Sequence, residues 1–124
     1  MKLDLIGIYV QNVQRSLEFY RKLGWNIPEV SDSEKHVQIT LEHGLQFSWD
    51  ELEMMKTFDP EAKIASDLVG VFLWSTPSEI DAKYLEMTGA GYVGHLAPQD
   101  AMWGQRYAIV KDPDGHKIGL SASL

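Results

Sequence analysis

A near-duplication inside the chain limits what it can fold into more than any other feature. Ile6-Gly7-Ile8-Tyr9-Val10 returns as Val69-Gly70-Val71-Phe72-Leu73, an offset of 63, and Gly24 returns as Gly89, an offset of 65. In both copies a period-2 strand pattern (Leu3 to Val10, Leu68 to Ser75) gives way to a helical one. Val13, Leu17, Tyr20 and Leu23 form the first apolar stripe, which Gly24 closes. Thr76-Pro77-Ser78-Glu79 opens the second helix as a capping box with proline at its first position, Ile80, Tyr84 and Met87 form its stripe, and Gly89 ends it.

Three further strand-like runs follow each helix. They are Asn26 to Val30, Lys35 to Glu42 and Leu45 to Asp50 in the first half, then Gly91 to Leu96, Gln105 to Lys111 and His116 to Ala122 in the second. Turn chemistry joins the last two strands of each half, Glu42-His43-Gly44 and Asp112-Pro113-Asp114-Gly115. The pattern predicts an α+β fold of two tandem βαβββ modules, residues 1–58 and 66–124, forming a curved mixed sheet around a cleft, with the polar stretch Glu51 to Asp67 as connection.

At 124 residues and 44% hydrophobic content, one domain with a substantial core is the expectation. A net charge of −7 disfavours nucleic acid, and no apolar run approaches a membrane span. The absence of cysteine excludes disulfides and thiolate ligands and suits a reducing, cytoplasmic setting.

Strand alternation sorts side chains into two faces. Ile6, Ile8, Val10, Leu45, Phe47, Trp49, Val69, Val71, Leu73, Ile118 and Leu120 make an apolar face for the helices. The other face holds Leu5, Gly7, Tyr9, Gln46, Ser48, Asp50, Gly70, Phe72, Trp74, Lys117, Gly119 and Ser121. Interior glycines on that face suggest close approach of a ligand, or else bulges and tight sheet contacts. The four histidines read as surface residues, and Arg106 with Asp112 as a structural pair.

The segments VQRSLEFYRKLGW (Val13 to Trp25) and WGQRYAIVKDPDGHKIGL (Trp103 to Leu120) resemble the two signatures of the glyoxalase/bleomycin-resistance/extradiol-dioxygenase (vicinal oxygen chelate) superfamily. The resemblance implies a divalent-metal site at Leu5, at Gln46 or Ser48, at Gly70 and at Gly119, of which only Gln46 has a ligating side chain. It therefore implies a version without metal or cofactor and without catalytic residues, close to the drug-sequestering, antibiotic-resistance branch. Tyr9, Gln46, Ser48, Asp50, Phe72, Trp74, Trp103 and Gly119 are the expected ligand-binding residues, the rings and Asp50 favouring a planar cation. A homodimer is the expected assembly. The competing expectations are a glyoxalase-like lyase, isomerase or dioxygenase with an atypical metal site, and an interaction module whose cleft serves dimerisation.

Overall fold

The computed structural model describes residues 1–29 and 32–124. Two compact units divide the chain, Met1–Ala65 and Ser66–Leu124. The first contains β1 (Leu5–Val10), α1 (Val13–Leu23), β2 (His36–Thr40), β3 (Gln46–Glu51) and a single helical turn α2 (Leu52–Met55). The second contains β4 (Leu68–Leu73), α3 (Pro77–Gly89), β5 (Val93–Ala101), β6 (Gln105–Lys111) and β7 (Lys117–Ser123). The order is mixed α+β, as the sequence pattern predicts.

In the first unit the sheet order is β1-β3-β2, β3 running parallel to β1 and antiparallel to β2. Asn12 starts α1 by accepting the Arg15 N–H on its side chain at 2.9 Å, and Gly24 stops it in a left-handed conformation at φ 141°. The buried stripe of Val13, Leu17, Tyr20 and Leu23 lies on the Phe47/Trp49 face, where the Tyr20 ring stands 5.3 Å from that of Trp49. Trp25 and Phe47 complete this aromatic core around a fully buried Trp49.

The strand expected from Asn26 to Val30 does not form over Asn26–Glu29, and Val30 lies outside the described residues. The cause is local chemistry. Pro28 has no N–H for a ladder, and the Arg21 guanidinium takes the carbonyls of Ile27 and Pro28 at 2.7 and 2.8 Å before reaching Asp32 at 2.8 Å.

In the second unit the order is β4-β7-β6-β5, with β4 parallel to β7 and the remaining pairs antiparallel. Glu79 accepts the Thr76 N–H at 2.9 Å, as a capping box requires. Ile80 and Met87 of α3 are fully buried, as are Ala108, Val110, Ile118, Leu120 and Ala122 of β6 and β7. Gly89 is still helical; the left-handed glycine falls at Gly91, φ 98°.

One correction concerns the face of β4. Gly70 pairs with Ile118, Val71 with Gly119 and Phe72 with Leu120, after a register shift between Leu68 and Gly70. Gly70 and Phe72 therefore share the face of Ile118 and Leu120, while Val71 and Leu73 share that of Gly119 and Ser121. The duplication is better measured between helix caps. Asn12 and Thr76 are 64 apart, which equates Ile6 with Gly70 and Ile8 with Phe72. The look-alike Ile-Gly-Ile and Val-Gly-Val segments suggested 63, and a one-residue slip exchanges every side chain between faces.

Candidate functional site

The open face of the first sheet is a grid of three rows. Tyr9, Asp50 and His36 stand level across β1, β3 and β2; Gly7, Ser48 and Gln38 form the next row; Leu5, Gln46 and Thr40 form the last. Three of the four first-unit residues singled out from sequence, Gln46, Ser48 and Asp50, come from alternate positions of β3, and Tyr9 faces Asp50 from β1.

The polar side chains are connected. His36 Nδ1 lies 2.5 Å from Asp50 Oδ1, and His36 Nε2 lies 3.1 Å from Gln38 Oε1. Gln38 Nε2 donates to Gln46 Oε1. The Ser48 hydroxyl is buried and points to the second Asp50 oxygen at 3.4 Å, a long contact. The Asp50 carboxylate is 15% exposed and His36 49%, so the pair lies at the solvent boundary. The hydrogen bond to Asp50 raises the His36 pKa above 6.5; burial opposes the rise, and the Asp50 charge and the Gln38 hydrogen bond add to it. Sequence reasoning placed His36 at a strand start and left it on the surface. The signal that finds it is hairpin register: counting back from the Glu42-His43-Gly44 turn pairs His36 with Asp50.

Gly7 opens the centre of this grid. A Cβ there would lie 2.5 Å from the Ser48 hydroxyl oxygen, so the missing side chain leaves Ser48 its place beneath the face.

The remaining sequence-derived site residues lie in the second unit, and they divide. Gly119 is on the open face, level with Val71 and Ile109, and Ser121 is level with Leu73 and Tyr107. Phe72 and Trp74, whose rings are 6.4 Å apart, belong to the opposite face, the one under α3. That face is identified by Arg106, which stands level with Ala122 and donates to Asp81 of α3 at 3.0 Å. The aromatic residues associated with the open face are instead Tyr107 and Trp103, with ring centroids 5.4 Å apart. A Cβ on Gly119 would come within 2.9 Å of the Tyr107 hydroxyl and of a Val71 methyl. Gly119 thus makes room for the Tyr107 ring, and Tyr107 is a second residue the sequence reading passed over.

Arg106, expected beside Asp112, pairs with Asp81 at 3.0 Å and Asp100 at 3.1 Å. The pair with Asp81 rims a cavity of about 300 Å³ beside α3, lined by Tyr84, Leu85, Ala97 and Pro98 as well. His116, read as a surface residue, is buried, and with Asp112 and Asp114 it brings three donor atoms within 4.8 Å of one another. Asp112 Oδ1 there accepts the backbone N–H groups of Asp114 and His116 at 3.0 and 2.9 Å, the bonding of a tight turn.

The metal site that the superfamily resemblance implies does not fit the residues present. Leu5 and Gly119 bring no donor, Val71 and not Gly70 stands level with Gly119, and the Gln46 carbonyl is engaged by Gln38. A lone neutral amide does not hold a divalent cation.

Two like α+β units, each with a mixed sheet covered by a helix on one face and open on the other, define a class of scaffold that presents side chains from sheet faces. A family model described as the glyoxalase/bleomycin resistance protein/dioxygenase superfamily matches residues 2–120, and the chain belongs to that superfamily. Solved structures share the fold at low identity. A glyoxalase-related enzyme from Fulvimarina pelagi superposes with a TM-score of 0.80 at 16% identity, covering 99% of this chain and 88% of that one. A hypothetical protein from S. aureus gives 0.78 at 20%, covering 98% and 93%. A glyoxalase/bleomycin resistance protein/dioxygenase family enzyme from Burkholderia phytofirmans gives 0.76 at 18%, covering both chains completely. Curated relatives match over a shorter stretch: uncharacterized proteins of Mycobacterium bovis and Mycobacterium tuberculosis are 42% identical over 45 residues, 36% of this chain. The match spans 30% and 26% of those two proteins' own lengths.

Proposed function

We propose that the chain is a metal-free small-molecule-binding protein whose ligand, a planar cation, meets the open face of the first sheet at Asp50. The observation that carries the reading is the Asp50 carboxylate. It stands level with Tyr9 and is bonded to His36, on a face where the side chains of His36, Gln38 and Gln46 are linked in turn. Carboxylates and ring faces both attract positive groups, and a net charge of −7 adds to the attraction. Membership of a superfamily named in part for bleomycin resistance supports a sequestering, antibiotic-resistance role, and a cysteine-free chain suits a cytoplasmic setting. Within the second unit itself, the ring pair on the open side is Trp103 and Tyr107, not Phe72 and Trp74.

Dialysis against a chelator followed by calorimetric titration with benzamidinium and its neutral isostere benzamide tests this reading. Saturable binding of the cation by the stripped protein, weakened about tenfold by Asp50→Asn (about 1.4 kcal/mol), is the expected result. Equal losses for cation and isostere would remove Asp50 as the charge reader.

A homodimer is part of the same proposal. β4 is a sheet edge carrying Leu68, Val71 and Leu73 at 48%, 50% and 71% exposure. The far edge, β5, carries Pro98 and two register shifts that discourage pairing.

The alternative, a lyase, isomerase or dioxygenase with an atypical metal, has the Asp112, Asp114 and His116 donors in its favour. Stoichiometric zinc, iron, nickel or manganese that survives dialysis and is lost on His116→Ala would decide for it.

A further inference from the structure

We infer that the open face of the first sheet takes its cationic ligand in exchange for a proton on His36. This rests on the reading that a cation binds at Asp50, and assigns a part to the rest of the grid.

The partners around the ring suit its charged form. A carboxylate only accepts, so His36 Nδ1, 2.5 Å from Asp50 Oδ1, carries a hydrogen. Nε2 faces Gln38 Oε1 at 3.1 Å, an acceptor that a protonated Nε2 satisfies. With both nitrogens protonated, the ring donates to both acceptors as an imidazolium. Gln38 passes the polarity on by donating from its amide nitrogen to Gln46 Oε1. The chain runs in one direction, from His36 through Gln38 to Gln46, and its last donor is the Gln46 amide nitrogen.

Removing the Nε2 proton reverses that direction. The bare nitrogen accepts, so Gln38 turns its amide nitrogen towards the ring and its oxygen towards Gln46. Gln46 turns in response and ends the chain on an outward carbonyl oxygen. The Nδ1 hydrogen stays on Asp50 and the lost proton passes to solvent.

Charge changes in the same step. With His36 protonated, Asp50 is already neutralised, and an arriving cation meets a like charge held against the same carboxylate. With the ring neutral, the carboxylate charge is uncompensated and the far end of the chain accepts from ligand N–H groups. The ligand class is then a cation that donates hydrogen bonds, such as an amidinium or ammonium compound. Within the first sheet the titratable groups level with His36 are Asp50 from β3 and, one strand further, Tyr9 from β1. The Asp50 hydrogen bond, which raises the ring's pKa from 6.5, brings the exchange towards neutral pH. Coupling is reciprocal, so the cation must lower the ring's proton affinity by the factor by which the proton lowers the cation's.

Calorimetric titration of metal-stripped protein with benzamidinium, which keeps its charge throughout, at about pH 5.5 and about pH 9 reads the exchange directly. Binding should be about fivefold or more tighter at the higher pH. Repetition near neutral pH in buffers of different ionisation enthalpy should show proton release approaching one per ligand. His36→Asn, which keeps an N–H for Asp50 but does not titrate, should bind with no pH dependence, and benzamide should show none with either protein. Equal affinities at both pH values without proton release, or the same pH dependence in His36→Asn, would overturn the exchange and leave cation binding at Asp50 standing. Absence of saturable benzamidinium binding at either pH would overturn both.

Discussion

Gly7 and Gly119 lie on open faces of two different sheets and serve different neighbours. At Gly7 the contact a methyl would make is the Ser48 hydroxyl, the far end of a short side chain; at Gly119 it is a tyrosine hydroxyl and a valine methyl together. Gly119→Ala should therefore cost about 1–3 kcal/mol by overpacking, measured by urea denaturation. Tyr107→Phe in the same chain should recover part of that loss, a non-additivity that marks direct contact. Additive effects would mean that the Tyr107 ring does not depend on the glycine. His36 supplies a second test at this scale. Because its folded pKa is raised by the Asp50 hydrogen bond, the pair's extra stability is complete below 6.5 and is lost as pH climbs through the raised value. The melting-temperature advantage of the parent over His36→Ala should shrink as pH rises across neutrality, and an advantage that grew instead would contradict the assignment. Residue type and strand pattern do not mark His36; it acquires a partner only when the hairpin register is counted back from the turn.

Among the elements, the helices and the strands β1 and β3 of the first unit were the most legible. The spacing of Val13, Leu17, Tyr20 and Leu23 names the buried stripe of α1, and Leu17→Ala should cost about 2–5 kcal/mol, the usual range for a fully buried leucine. Alternation along Gln46, Ser48 and Asp50 put all three on one face. The same alternation failed on β4, where Val69, Val71 and Leu73 look like a core stripe and the bulge after Leu68 sends Val71 and Leu73 to the open side. The physical reason is that a one-residue shift leaves composition unchanged and reverses every side chain; only the spacing between the two N-caps carries the correct count. The supposed strand after α1 failed for a different reason, a side chain, Arg21, satisfying carbonyls that the pattern assigned to a ladder. The exposed apolar side chains that result on β4 lead to a test of assembly. Sedimentation should show a dimer at micromolar concentration, and Leu73→Lys should dissociate it without loss of helical circular dichroism. A monomer in the parent protein would remove the dimer from the account.

At the scale of the molecule, family membership and fold class were both readable from the duplication and the two signature segments, since those features span nearly the whole chain. Ligand chemistry was only partly readable. Substitution of the ligating side chains by Leu5 and Gly119 is visible in sequence, whereas the hydrogen-bonded row that gives Asp50 its partners is a property of three strands brought level. No helix among the described residues is long and apolar enough to cross a membrane. The central claim, that a cation binds the open face of the first sheet without metal, is tested most directly by an amide and side-chain NMR titration of chelator-treated, isotope-labelled protein with benzamidinium. The account predicts saturable shifts concentrated at Tyr9, His36, Gln46, Ser48 and Asp50, unchanged when chelator is kept in excess. Shifts centred on Asp112 to His116, or appearing only after a divalent cation is added, would contradict it.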